Sequence, residues 1–106
     1  MGDGSFGFTV GELETAFRLK LPIIFIVISN SVYGWIKAGQ KSSFNKRYYS
    51  VDFTRTDHAK VASAYGLKTW TVKKPQELKK IILKAVKQKG PCLIDIISQP
   101  LQDAKA

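Results

Sequence analysis

The run "TVGELETAFRLKLPIIFIVISN", residues 9–30, decides the fold. In its first half, Leu13, Ala16 and Phe17 share one helix face at i, i+3, i+4 spacing. Thr9 and Glu12 match the Ser/Thr-x-x-Glu capping box, in which each side chain satisfies the other residue's backbone donor. The spacing therefore predicts a helix from about Val10 to Lys20. Pro22 lacks an amide hydrogen and prevents its continuation. The second half, "PIIFIVI", residues 22–28, is short, apolar and β-branched, as expected of a parallel strand covered on both faces. It stops at Ser29-Asn30-Ser31.

The remainder of the chain repeats this alternation. "TDHAKVASAYG", residues 56–66, reads as a helix with Thr56 or Asp57 as its cap and Gly66 in the left-handed position at its end. "KTWTV", residues 68–72, reads as a short strand. "PQELKKIILKAVKQKG", residues 75–90, reads as a helix with Pro75 in its first turn and Gly90 just past its end. Its apolar face is Leu78, Ile81, Ile82, Ala85 and Val86. "CLIDIIS", residues 92–98, reads as another buried strand. Residues 34–41 are expected to be partly helical, and the segment after them to be a long surface loop, a common place for function. Helices alternating with buried strands predict an α/β domain, three-layer α/β/α with a mainly parallel sheet, as a single domain over residues 1–106.

Composition narrows the functional classes. The 106 residues are 44% hydrophobic and 11% aromatic, which excludes a disordered chain. No apolar run is long enough to span a bilayer, and no basic-then-apolar leader opens the chain, so no membrane partner and a cytoplasmic location are expected. The single cysteine, Cys92, lies in an apolar strand and is expected to be a buried, reduced thiol. The net charge of +9 comes partly from seven lysines between Lys73 and Lys89. Lys79, Lys80, Lys84 and Lys87 fall away from the apolar face of their helix. That is the pattern of a solvated face, with a nucleic-acid-binding face as the alternative. His58 has no second histidine or cysteine beside it and is expected to be structural or solvent-facing.

A length argument joins the two ends of the opening run. The expected helix covers roughly 16 Å and the strand roughly 23 Å, running in opposite directions. Asp3 and Asn30 therefore finish on one edge of the sheet, where ligands of open α/β sheets bind. Asp3 offers a carboxylate and Asn30 an amide oxygen. The following turn can offer a main-chain carbonyl, for instance that of Val32. These hard oxygen donors suit Mg²⁺, which commonly shares its shell with phosphate and water. Gly2 and Gly4 lack Cβ atoms and allow close approach of a phosphate, and the amide and hydroxyl of Ser5 favour an anion. Gly-Asp-Gly alone is an ordinary turn. Its 27-residue separation from Asn30, bridged by a helix and a buried strand, points instead to a metal–diphosphate site.

At these residues the sequence resembles the thiamine-diphosphate-dependent enzymes. Their signature is Gly-Asp-Gly, about two dozen residues, then Asn, often preceded by a second Asn; here Ser29 stands in its place. The phrases "GDGSFGFTVGELETAFRLKLPI", "YGWIKAGQ", "VASAYGLKTWTV" and "KGPCLIDI" are most similar to the acetolactate synthase group and its 2-oxoacid decarboxylase and carboligase relatives. The resemblance implies that Asp3, the side chain of Asn30 and the carbonyl of Val32 hold Mg²⁺. It implies that Gly4 and Ser5 contact the diphosphate of the cofactor, that Tyr33 and Gly34 lie against it through their backbone, and that residues 35–40 face the entrance. It also implies decarboxylation of a small 2-oxo acid such as pyruvate, with the enamine then protonated or added to a second carbonyl compound.

The departures from the family pattern are specific. Gly39 stands near a position where acetolactate synthases commonly carry tryptophan. No residue matches the glutamate from a separate domain that activates the aminopyrimidine. No strand precedes Gly2. The chain is therefore expected to be the C-terminal part of a thiamine-diphosphate-binding domain lacking its N-terminal strands. Its expected partners are the rest of the enzyme or an upstream subunit carrying that glutamate, and a second copy in a homo-oligomer. The alternatives are a non-catalytic oligomerising fragment and a basic nucleic-acid-binding module.

Overall fold

A computed structural model describes residues 1–99. The elements are α1 (Asp3–Thr9), α2 (Glu12–Arg18), β1 (Ile24–Ser29), α3 (Gly34–Ser43), α4 (His58–Ala64), β2 (Lys68–Val72), α5 (Pro75–Ala85) and β3 (Cys92–Ile97). The three strands form one parallel sheet in the order β1-β3-β2. The expected α/β fold with a parallel sheet is what the chain adopts.

The two faces of the sheet carry separate cores. On one, Val27 of β1 and Leu93 of β3 pack with Phe6 of α1, Leu13 of α2, Ala62 of α4 and Leu67. On the other, Cys92 and Ile94 of β3 and Val72 of β2 pack against Ala85, with Leu78 and Ile81 of α5 beside them. Central β3 is buried on both faces from Cys92 to Asp95. Edge strand β1 is not, contrary to the expectation for residues 22–28. Val27 and Ser29 are buried while Ile26 and Ile28 are exposed. The reason is that α5 covers its face of the sheet over β2, β3 and the start of β1 at Ile24, and leaves Ile26 and Ile28 bare.

The capping box at Thr9 is not formed. The helical course begins at Asp3 with Gly2 as N-cap, and Thr9 closes α1 by donating its hydroxyl to the carbonyls of Ser5 and Phe6. A short break at Val10 and Gly11 then leads into α2, whose N-cap Gly11 has no side chain to contribute. The length argument needs correction accordingly, since α1 and α2 together span Asp3 to Arg18. Phe17 is largely exposed rather than part of the buried face. The helix expected to reach Lys89 ends at Ala85. Gly90 does not take the left-handed backbone, and Ile82 and Val86 turn outward.

The signals of α4 hold. Asp57 accepts the Lys60 N–H at 3.0 Å as its cap. Gly66 has φ +101°, and a Cβ there would lie 2.5 Å from the Phe17 ring. The long segment after α3 is pinned in two places. Tyr33 donates its N–H to Val51 O at 2.8 Å and Phe53 to Ser31 O at 3.0 Å. Lys37 pairs with Asp52 at 2.9 Å.

Candidate functional site

The backbone of Met1 and Gly2 lies along the outer edge of β1. Gly2 bridges Ile28 in parallel, and the Ile28 N–H donates to Met1 O at 2.8 Å. This pairing sets Asp3 at the C-terminal end of β1, beside the turn that follows Ser29. Parallel strands end there, the usual ligand-binding edge of such sheets.

Asp3 is 4% exposed. Its Oδ1 accepts the Gly4 N–H at 3.0 Å and its Oδ2 accepts the Ser31 N–H at 2.7 Å. Two backbone donors orient the carboxylate, yet no ion pair joins it to a lysine or arginine among the described residues. A buried carboxylate without a cation is costly. The turn on its other side is shaped by Asn30, whose Oδ1 accepts the Val32 N–H at 3.3 Å. Ser31 between them has φ +58°, the left-handed backbone that non-glycine residues rarely adopt. No backbone N–H donates to the Val32 carbonyl oxygen among the described residues.

The five residues expected at the diphosphate lie around the same edge. Gly2 borders open space, whereas a Cβ on Gly4 would stand 2.6 Å from Cε1 of Tyr33. Gly4 is thus the seat of the Tyr33 ring. Ser5 is exposed on the first turn of α1. Tyr33 is the N-cap of α3, and Gly34 its first residue. The N–H of Tyr33 is committed to Val51. Of the sequence-predicted metal residues, Asp3 is tied directly to the turn that bears Asn30 and Val32. The described residues hold no cluster of three His, Cys, Asp or Glu side chains.

The sequence reading missed a buried polar group behind this edge. Ser29 donates its hydroxyl to Asp95 Oδ1, and His58 Nδ1 lies 3.1 Å from Ser29 Oγ and 3.6 Å from Asp95 Oδ2. Asp95 is 0% exposed and its Oδ2 accepts no hydrogen bond. The available signal was a charged residue in the middle of the apolar strand "CLIDII". His58 is structural as expected, but as part of this group and with its ring packed edge-on against Phe6 at 5.2 Å.

Trp35, the first residue of the stretch expected at the entrance, is 93% exposed. Trp70 sits at the border of the second core. Cys92 is buried, and burial pushes its thiol pKa up. Lys79, Lys80, Lys84 and Lys87 are exposed. Among the described residues no helix is long and apolar enough to cross a membrane.

Comparisons with known proteins agree on one family. The sequence profile described as "Thiamine pyrophosphate enzyme, C-terminal TPP binding domain" matches residues 1–96. Acetolactate synthase of Bacillus subtilis is 38% identical over 95 residues, covering 90% of this chain and 16% of that protein. The mitochondrial acetolactate synthase catalytic subunit of Saccharomyces cerevisiae is 33% identical, covering 90% of this chain and 14% of that protein. Pyruvate oxidase of Lactiplantibacillus plantarum is 32% identical, covering 91% and 16%. The chain thus spans about one sixth of the length of these relatives. Among solved structures, a thiamine diphosphate-dependent 4-hydroxybenzoylformate decarboxylase of Rhodococcus jostii superposes with TM-score 0.87. It is 23% identical and covers 93% of this chain and 19% of that one. That likeness speaks to the fold.

Proposed function

The chain belongs to the thiamine pyrophosphate enzymes as their C-terminal TPP-binding domain, and from this premise we propose that it binds thiamine diphosphate through Mg²⁺ as part of a 2-oxoacid decarboxylase or carboligase resembling acetolactate synthase. The observation that carries the proposal is the buried, cation-free carboxylate of Asp3 fastened to the turn that bears Asn30. The donor set fits the ion. Asp3, the Asn30 amide oxygen and the unengaged Val32 carbonyl are hard oxygens, which Mg²⁺ prefers. Gly2, Gly4, Ser5, Tyr33 and Gly34 would hold the diphosphate.

In this reading Asp3 supplies the charge that a divalent ion needs, and the Gly4 and Ser31 amides keep its oxygens aimed. The left-handed turn at Ser31 would carry the Asn30 side chain and the Val32 carbonyl toward the ion. Bound, the cofactor supplies the electron sink for loss of carbon dioxide from a 2-oxo acid. The glutamate that would activate the cofactor is assigned to another part of a longer enzyme or to a partner subunit. The chain alone is therefore expected to bind and not to turn over.

A second, compatible reading is association with that remainder or with another copy. It is favoured by Ile26 and Ile28, exposed side by side on the face α5 leaves bare. Calorimetry of thiamine diphosphate with and without Mg²⁺ tests the primary reading. Heat of binding that requires Mg²⁺ and disappears in Asp3→Ala supports it, and equal binding by the two proteins rejects the metal assignment. Light scattering across a dilution series tests the second, which a clean dilute monomer would oppose.

A further inference from the structure

A cavity of about 400 Å³ lies beside α1, large enough for a small ligand. Phe6, Tyr33 and Phe53 give it three aromatic walls, Val10 and Val61 two aliphatic ones, and His58 closes one side. The protonation pattern of His58 follows from its partners. Ser29 has one hydroxyl hydrogen and gives it to Asp95 Oδ1. Its oxygen then has only lone pairs to offer His58 at 3.1 Å, so the ring must carry its hydrogen on Nδ1. The same N–H leans toward the otherwise unpartnered Asp95 Oδ2 at 3.6 Å. In neutral imidazole the lone pair is then on Nε2. Nε2 has no hydrogen-bond partner among the described residues, although the His58 side chain is only 9% exposed.

We propose that this cavity is a binding site for a small, neutral aromatic molecule carrying an N–H or O–H donor, which the Nε2 lone pair of His58 accepts. Aromatic walls favour a flat ring through edge and offset contacts. Without a metal ion on Asp3, anions are disfavoured, because that carboxylate lies on the wall and no lysine or arginine does. The Ser29–Asp95 pair acts behind the site, fixing which ring nitrogen is the acceptor. The cavity borders the metal–diphosphate reading at Asp3, Gly4 and Tyr33, but its ligand is recognised at His58 and needs neither Mg²⁺ nor thiamine diphosphate.

The test uses the full 106-residue chain, in which His58 is the only histidine, so its ring nitrogens are read directly by ¹⁵N NMR. Where the ring is neutral, the free protein should show the proton on Nδ1. Aniline should then shift the Nε2 resonance. Aniline should also bind roughly five- to tenfold tighter than toluene, its donor-free counterpart, as expected for one hydrogen bond. Benzoate should not bind. His58→Phe should bring aniline down to the toluene level. Val61→Phe, which fills the cavity and leaves the Ser29–His58–Asp95 group intact, should abolish both affinities and provides the test if His58→Phe does not fold. A proton found on Nε2, equal affinities for aniline and toluene, or binding unaffected by Val61→Phe would overturn the proposal. Since none of these measurements includes Mg²⁺ or cofactor, failure here leaves the calorimetric result for Asp3 standing, and the reverse.

Discussion

Asp3 Oδ2 accepts the backbone N–H of Ser31 at 2.7 Å across 28 positions of sequence. This bond locks the start of the chain to the turn after β1, and it sets a buried carboxylate against the backbone of that turn. Replacing Asp3 with alanine leaves two backbone donors without partners. The expected loss is about 1–3 kcal/mol of stability. Asp3→Asn keeps an acceptor and should lose less. Because ligands of the native state stabilise it by mass action, Mg²⁺ with thiamine diphosphate should raise the Tm of the wild type and not that of Asp3→Asn. Urea and thermal unfolding, with and without the ions, read both effects.

The left-handed backbone of Ser31 stores strain of about 1–2 kcal/mol. Glycine adopts φ +58° freely, so Ser31→Gly should be neutral to stabilising by up to about 1 kcal/mol despite its greater freedom when unfolded. Ser31→Val, with a stiff branched side chain, should destabilise. Denaturant midpoints of the two variants should fall on opposite sides of the wild type or straddle it closely on the glycine side.

The Tyr33 ring occupies the space a Cβ on Gly4 would need. Gly4→Ala should cost about 1–3 kcal/mol by overpacking. Pairing it with Tyr33→Ala should return most of that cost, giving a coupling energy in a double-mutant cycle. Additive effects would show that the clash is relieved in some other way.

Gly66→Ala should be the more damaging glycine substitution. It combines a left-handed backbone of φ +101° with a Cβ 2.5 Å from the Phe17 ring. Truncating Phe17 should recover the packing part of the loss and leave the backbone part, about 1 kcal/mol. Chemical denaturation of the single and double variants separates the two.

Burial raises the thiol pKa of Cys92 above its ordinary value of 9.0. A folded-state pKa above the unfolded value means that the contribution is fully present below about pH 9 and is lost as pH rises toward the folded value, because the unfolded thiol ionises first. The wild type should therefore lose stability between pH 9 and higher pH relative to Cys92→Ala, by up to about 1.4 kcal/mol per pH unit. The native thiol should also resist alkylation until the chain unfolds.

The parallel α/β architecture could be read from sequence because each apolar run had its own period and its own cap or stop, such as Asp57 at the start of α4 and Pro22 and Gly66 past helix ends. So could the adjacency of Asp3 to the turn that bears Asn30, since the two flank one helical stretch and one strand. Local signals misled where a nonlocal contact competed. The Thr9–Glu12 capping box failed because pairing of Gly2 with Ile28 lets helix begin at Asp3. The uniform run at residues 22–28 concealed that β1 lies at the edge of the sheet, with Ile26 and Ile28 exposed.

The sequence by itself determined the three strands, most of the helices, their alternation and the placing of Asp3 near the turn of Asn30, because periodicity, caps and chain length act over a few residues. Only the tertiary structure decided that Ser29, His58 and Asp95 meet. They come from β1, α4 and β3, up to 66 positions apart, and no spacing rule relates them. They are brought together because Val27 and Asp95 are partners in the parallel register, which sets Ser29 and Asp95 on one face of the sheet, and because α4 packs over that face with His58 at its start.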